Sequence, residues 1–255
     1  MKDFVIRIIE KAGQYLLENF RRDLTLISER RISKDLVTKY DQRNNDFLVN
    51  QISKKYPTHN ILAEESGLID KESEYTWIID PLDGTANFIT GNPFFSVSIA
   101  LARKNEVILG VIKAPFLNEL FVAEKNKGAF LNGRKIKVSN IDQIEEAYFL
   151  SCGGGDKNNE RIAKINSVIH PKTKDLRKLG SGALEGAWVA CGRADAYFAP
   201  QIYPWDIAAA ALLVREAGGK VTDFEDKEWK PKPSNVVLSN GKIHSKLLEL
   251  INKAL

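Results

Sequence analysis

Apolar side chains recur at helical spacing from the first residues. Phe4, Ile8, Ile9, Ala12, Leu16 and Phe20 fall on one face and predict an amphipathic helix over residues 4–20. A second helix over residues 41–55 turns Phe47, Leu48 and Ile52 inward, and "YPTHN" ends it, because Pro57 has no N–H to donate. The period then shortens. "NILAEE", "YTWIID", "FFSVSIALARK", "EVILGVIKAP" and "NELFVAEK" are short β-branched or aromatic runs and predict strands. "KNEV" and "PFLNEL" read as hairpin turns, so this sheet is expected to be largely antiparallel. The second half alternates: strand "EEAYFLSC", a helix over 158–170, short strand "DLRKLG", helix "GALEGAWVACG" and strand "ADAYFAP". Helix "DIAAAALLVREAGG" follows, stopped by Gly218 or Gly219, then strands "GKVTDF" and "NVVLSN" and a closing helix over 242–254. No repeat or low-complexity tract interrupts the chain. The expectation is one compact unit over 1–255, with subregions 1–140 and 141–255.

Composition narrows the class. With 255 residues, 44% hydrophobic and 27% charged, the chain can bury a sizeable core. A net charge of +4 suits an anionic small substrate and falls short of the basic stripe of a dedicated nucleic-acid binder. Cys152 and Cys191 form no CxxC pair and read as free thiols of a reducing compartment. "MKDFVIRIIEKAG" is broken by Asp3 and Arg7 and does not read as a signal peptide, and the apolar run 207–214 is too short to span a bilayer. The expectation is a cytoplasmic protein that engages no membrane.

The chemistry concentrates in "WIIDPLDGTANF". Asp80 closes an apolar strand, Pro81 forces a turn, Asp83-Gly84 permits an unusual backbone angle, and Thr85 can cap the helix that follows. Paired carboxylates attract a hard divalent cation, and a helix N-terminus attracts phosphate. On the residues alone, a strand-turn-helix corner with solvated aspartates explains the stretch equally well. Of Glu64 and Glu65 in "LAEES", strand alternation lets only one face a shared site. Asp206, opening the helix of "PWDIAAAALLVREAGG", and Asp41 in "DLVTKYD" each also read as a simple N-cap.

In this order, "AEES", "DPLDGTANF" and "PWDIAAAALLVREAGG" resemble the signatures of the inositol monophosphatase family, magnesium-dependent and lithium-sensitive phosphatases of the sugar-phosphatase fold. The resemblance extends from "DLVTKYD" to "VVLSNGKIH". It implies a layered αβαβα architecture, an α+β arrangement with a largely antiparallel first sheet and a mixed α/β second half. It also implies two or three Mg²⁺ ions per active site. Glu64, Asp80 and the carbonyl of Leu82 match the ligands of one ion, and Asp80, Asp83 and Asp206 those of a second, with Asp80 bridging. Thr85, supported by Asp41, matches the pair that positions the attacking water, and Glu64 assists through a further ion. Gly84 and Thr85 match backbone donors to the phosphate, Asp83 and Asp206 also border the substrate, and Gly180, Ser181 and Gly182 match a substrate-side loop. The resemblance implies in-line attack by water, without a covalent intermediate, and a homodimer. His59, His170 and His244 fall outside every motif. Asp83→Asn is expected to abolish phosphate release with the fold intact.

The sequence departs from the family where the alcohol is recognised. Inositol-preferring members carry a glutamate where this chain has Ala199, and relatives that cleave fructose 1,6-bisphosphate often carry an arginine where it has Gln201. Arg177 sits at the place of an anion-binding arginine, and either Arg30 or Lys34 takes the place of a loop lysine. The expected function is Mg²⁺-dependent hydrolysis of inositol monophosphate and related small phosphorylated polyols or sugars. The alternatives are a fructose-1,6-bisphosphatase or dual-specificity enzyme, and an RNA-polymerase-associated binding protein. "CGGGD" at 152–156 is expected to be a loop, "KTKDLRK" a solvated face apart from Arg177, and Leu184, Trp188 and Val189 core or dimer contacts.

Overall fold

A computed structural model describes residues 1–21, 26–30, 35–153 and 158–255, with side chains described in 1–21, 38–153 and 158–255. Helices α1 (Lys2–Asn19) and α2 (Lys39–Lys55) follow the two predicted periodic stretches. Between them a hairpin pairs β1 (Leu26–Arg30) with β2 (Asp35–Thr38). Next come β3 (Asn60–Ala63), β4 (Gly67–Ile69), β5 (Tyr75–Asp83), the short α3 (Thr85–Thr90), β6 (Ser96–Arg103), β7 (Glu106–Ala114), β8 (Glu119–Glu124), β9 (Gly128–Leu131) and β10 (Arg134–Lys135). The second half holds β11 (Tyr148–Ser151), α4 (Asn159–Ile169), β12 (Asp175–Arg177), α5 (Gly182–Ala190), β13 (Ala196–Ile202), α6 (Pro204–Glu216), β14 (Lys220–Thr222), β15 (Ser234–Ser239) and α7 (His244–Ala254).

Strands β10-β9-β8-β7-β6-β5-β3-β4 make an eight-stranded sheet in which only β3 and β5 run parallel. Strands β12-β11-β13-β15-β14 make a smaller mixed sheet. Alternation along each strand sorts side chains into layers. Trp77, Ile79, Val97, Ile99 and Leu101 pack with α1 and α2 on one face of the large sheet. Ile78, Ala100, Ala102 and Ile112 on the other face meet α5, α6 and the inner face of the small sheet. Phe149, Phe198 and Val237 close the far side against α4 and α7. The order helix, sheet, helix, sheet, helix is the expected layered architecture.

The central layer is tight because its residues are small. A Cβ on Gly110 of β7 would lie 2.7 Å from the Ala209 carbonyl oxygen of α6, and one on Gly186 of α5 would lie 2.6 Å from the Ala210 Cβ. Among the described residues, no helix is long and apolar enough to cross a membrane.

His244 shows how the small sheet treats a buried titratable group. It is fully buried, with Nε2 2.9 Å from Thr222 Oγ1 and Nδ1 2.7 Å from Ser239 Oγ. Burial, with Lys220 nearby, pushes its pKa down to about 4, against the pull of Asp226. The folded protein thus holds a neutral ring while the unfolded chain protonates near 6.5. Stability is full above that value and declines as pH falls toward 4, by roughly 3 kcal/mol from this residue. Urea midpoints at pH 7.5 and 4.5 check this: the loss on acidification should be smaller in His244→Gln than in the parent.

Candidate active site

Pro81 does not end β5. The strand continues to Asp83, and its register with β6 moves from Asp80 opposite Ser98 to Asp83 opposite Ser96. The strand advances three residues where its partner advances two, which is a β-bulge. Proline is tolerated there because no ladder N–H is needed. In a regular strand, residues three apart face opposite sides; the extra residue lifts that obstacle between the two aspartates. Asn44, buried on α2, donates from Nδ2 to the Pro81 carbonyl at 2.7 Å, and the Leu82 N–H donates to Asp80 Oδ1 at 3.0 Å. Gly84 then takes φ 92° as the N-cap of α3, so Thr85 is the first helical residue and not the cap.

Other elements bring further acids. Glu64 follows β3, its N–H donating to the Ile79 carbonyl of β5 at 3.1 Å. Asp206 is the third residue of α6, whose cap is Tyr203, and its Oδ2 accepts the Tyr203 N–H at 3.2 Å. Burial raises the pKa of Glu64 well above normal, and Asp206, Glu65, Asp41 and Asp83 raise it further. Asp80 is raised by burial, then by Glu64, Asp83 and Asp206. Among the described residues, neither Glu64, Asp80 nor Asp83 has an ion pair with a cation. The fold therefore concentrates negative charge at Glu64, Asp80 and Asp83 that no ion pair among the described residues offsets.

Asp83 is oriented differently from its neighbours. Its Oδ2 accepts from Ser181 Oγ at 2.5 Å, the Ala183 N–H at 2.9 Å and Ser96 Oγ at 3.1 Å, and its Oδ1 accepts the Gly182 N–H at 3.0 Å. Burial raises its pKa, and these bonds oppose the rise. Ser181, Gly182 and the bulge thus form one unit. Gly180 belongs to it too: its φ is +88°, and a Cβ on Gly84 would lie 3.1 Å from its carbonyl oxygen. Among the described residues, no three acidic, histidine or cysteine side chains close into a metal cage. The turn of Asp83 onto the first turn of α5 is one visible reason.

Thr85 and Asp41 meet as expected: Thr85 Oγ1 lies 2.8 Å from Asp41 Oδ1 and 3.0 Å from the Leu82 carbonyl. Asp41 is not an N-cap. Thr38 caps α2, and Asp41, three residues on, completes a capping box by accepting the Thr38 N–H at 2.8 Å and the Thr38 hydroxyl at 2.5 Å on Oδ2. Burial raises the Asp41 pKa against these bonds. Thr38→Val keeps the shape and removes the hydroxyl; it is expected to lower stability by about 1–2 kcal/mol. Chemical denaturation tests this, and a loss under a few tenths would mean the cap contributes little.

The expected substrate-side residues divide. Arg177 lies on edge strand β12, bonded to Asp175 at 2.8 Å and over the Tyr148 ring, beside a cleft of about 520 Å³ also lined by Ser151, His170 and Lys178. Gln201 is exposed with φ +51°, at an irregularity in the pairing of β13 with β15. Ala199 is fully buried in the central layer. Lys34 and the Arg30 side chain lie outside the described residues, as does most of the 152–156 stretch. Leu184 and Val189 are core residues, while Trp188 is part-buried with Phe94 edge-on to its ring.

Several supporting residues were given no role by the sequence, although Thr38 and Asn87 lie inside the quoted motifs. Ser96, Thr38, Asn44 and Asn87 are polar residues whose partners lie across the fold or at a helix end. Asn44 left a different trace, a polar residue one turn before Leu48 on the inner face of α2.

A layered fold with carboxylates gathered where β5 meets α3 and α6 defines the class as a phosphatase of the sugar-phosphatase fold. The comparisons with known proteins say the same. The chain belongs to the inositol monophosphatase family, which it matches over residues 1–255. It is 40% identical to a "Fructose-1,6-bisphosphatase/inositol-1-monophosphatase" of Thermotoga maritima over 98% of this chain and 95% of the relative. It is 37% identical to a "Nus factor SuhB" of Haemophilus influenzae over 100% of this chain and 97% of that one. A solved IMPase of Thermotoga maritima superposes with a TM-score of 0.90 at 38% identity, over 99% of this chain and 96% of that one.

Proposed function

We propose that this protein is a phosphomonoesterase that hydrolyses inositol monophosphate and related sugar phosphates, with Mg²⁺ as cofactor. The observation that carries this reading is the buried, mutually repelling acidic group of Glu64, Asp80 and Asp83 at the end of β5, with the Asp206 charge acting on it. The donor set fits the ion: carboxylate oxygens are hard ligands, and their mutual repulsion favours a divalent cation among them. Glu64, Asp80, the Leu82 carbonyl, Asp83 and Asp206 would hold it; Asp83 Oδ1, with one hydrogen bond from Gly182, keeps a lone pair free to do so. Bound Mg²⁺ supplies a Lewis acid that offsets charge on the phosphate and the departing oxygen and makes water easier to deprotonate.

The chain's own groups do the positioning. By donating to Asp41, the Thr85 hydroxyl turns its lone pairs outward, where they can accept from a water and aim it. Asp41, held by two bonds from Thr38, fixes that rotamer. The Gly84 and Thr85 N–H groups open α3 without intrahelical partners and can donate to phosphate oxygens. Gln201 and Tyr203, both exposed just ahead of Asp206 in the chain, are the residues we assign to contact with the leaving alcohol.

A dual activity that includes fructose 1,6-bisphosphate is the second reading, favoured by the printed name of the Thermotoga maritima relative. The test is a panel of inositol 1-phosphate, fructose 1,6-bisphosphate, adenosine 3′,5′-bisphosphate and histidinol phosphate, assayed with Mg²⁺ and with added Li⁺. Mg²⁺-dependent, Li⁺-inhibited release of phosphate from the first is expected. No cleavage of any member would sink the phosphatase reading and leave the regulatory role suggested by the relatives named Nus factor SuhB.

A further inference from the structure

One buried acid lies outside every motif. Glu185 is fully buried on α5, and its side chain turns back toward the segment that precedes the helix, where Oε1 accepts the Leu179 N–H at 2.7 Å. Its Oε2 is buried and has no hydrogen-bond partner among the described residues. Removing a carboxyl from water in order to hold the Leu179 N–H, with the Gly180 N–H also favouring its charged form, is an expensive arrangement, so what these N–H groups control becomes the question.

Leu179 opens the turn that leads to the Asp83 contacts. Its carbonyl accepts from Asn87 Nδ2 at 2.7 Å, and the same Nδ2 lies 2.7 Å from the Phe94 carbonyl. Gly180 follows at φ +88°, packed so closely on Asn87 that a Cβ there would lie 3.1 Å from Nδ2. Ser181, Gly182 and Ala183 then deliver a hydroxyl and two N–H groups to the Asp83 carboxylate. Asn87 and Asp83 hold the turn from the side of β5 and α3, and Glu185 holds it from the side of α5.

We propose that Glu185 is a positioning residue: by fixing the Leu179 N–H it sets the turn through Ser181, and through that turn the orientation of Asp83 toward a divalent cation. The inference rests on the phosphatase reading above. Burial raises the Glu185 carboxyl to about 8, so at neutral pH it is largely protonated and adds little charge to the acidic cluster. Glutamine is then a close stand-in that keeps the acceptor oxygen, whereas leucine keeps the volume and removes it.

The test compares Glu185→Gln and Glu185→Leu with the parent, each checked for folding by circular dichroism. Mn²⁺ binding is followed by calorimetry, and the Mg²⁺ dependence of inositol 1-phosphate hydrolysis is measured separately. The leucine variant is expected to bind Mn²⁺ about tenfold more weakly or worse, with a matching rise in the Mg²⁺ needed for half-maximal rate and a fall in kcat. The glutamine variant is expected to stay within about twofold of the parent on both readouts. A folded leucine variant with parental Mn²⁺ affinity and Mg²⁺ dependence overturns the proposal, as does a glutamine variant as impaired as leucine. Should leucine not fold, Glu185→Asp withdraws the acceptor by one methylene and is expected to show the same weakening; a parental result there also overturns it. A parent that binds no Mn²⁺ and cleaves no ester instead removes the phosphatase reading on which the proposal stands.

Discussion

Asp80→Asn is expected to yield a protein more resistant to denaturation than the parent in metal-free buffer, and inactive. Asp80 is 1% exposed, and its charge is opposed by burial and by Glu64, Asp83 and Asp206. The asparagine oxygen can still accept the Leu82 N–H, the bond recorded for Asp80 Oδ1, so little local structure is lost. Removing one buried like charge should raise stability by about 1–2 kcal/mol. The sign of the pH effect agrees. A carboxyl whose folded pKa is raised binds protons more tightly in the native state, so its contribution is present below the unfolded value and lost as pH rises through the folded one. The parent's metal-free stability should therefore fall as pH rises through the weakly acid range, and the variant's should fall less. Turnover should drop about 10³-fold or more, because the central charge of the site is gone. Thermal melts with a chelator at pH 5 and pH 8, alongside phosphate release, check both halves. A variant less stable than the parent would refute the repulsion argument.

Asp83→Asn is expected to be equally inactive but less stable. An amide has one oxygen, whereas the Asp83 carboxylate accepts four donors through two: Ser181 Oγ, Ser96 Oγ, and the N–H groups of Gly182 and Ala183. Whichever way the asparagine turns, its NH₂ meets at least one donor. Stranding such donors costs about 2–4 kcal/mol in total. From the sequence, this substitution was expected to spare the fold; the contact with α5 changes that expectation. If Asp83→Asn unfolds at the parental denaturant midpoint, the four bonds carry little energy and the coupling of Asp83 to α5 is wrong. The two substitutions, three residues apart, are thus expected to move stability in opposite directions.

Much of this was legible from local pattern. Periodicity places α1, α2, β5 to β8 and the second-half elements within a few residues, because each carries its own apolar face. Shorter pieces escaped. Neither the β1–β2 hairpin nor β4, β9 and β10 has a run long enough to show a period. The bulge between Asp80 and Asp83 reads as a turn in the sequence, since proline after an apolar run signals both and only the partner strand decides. The motif acids, Thr85 and Ser181 could be named from the sequence, but most of the polar contacts that hold the site together could not. Ser96 reaches Asp83, Asn87 reaches Leu179 and Glu185 reaches back to Leu179, contacts that exist only once the two halves are stacked.

The absence of clearance around α6 has a mechanical meaning. With Gly110 against Ala209 on one side and Gly186 against Ala210 on the other, this helix works as the fixed jaw of a vice, and Asp206 at its tip has almost no travel. A bulkier leaving group cannot be admitted by sliding that jaw without lifting a sheet. Any change of substrate along this lineage is therefore expected to be written in interchangeable fittings ahead of the jaw, at positions such as Gln201 and Tyr203, while the alanines behind them stay as they are.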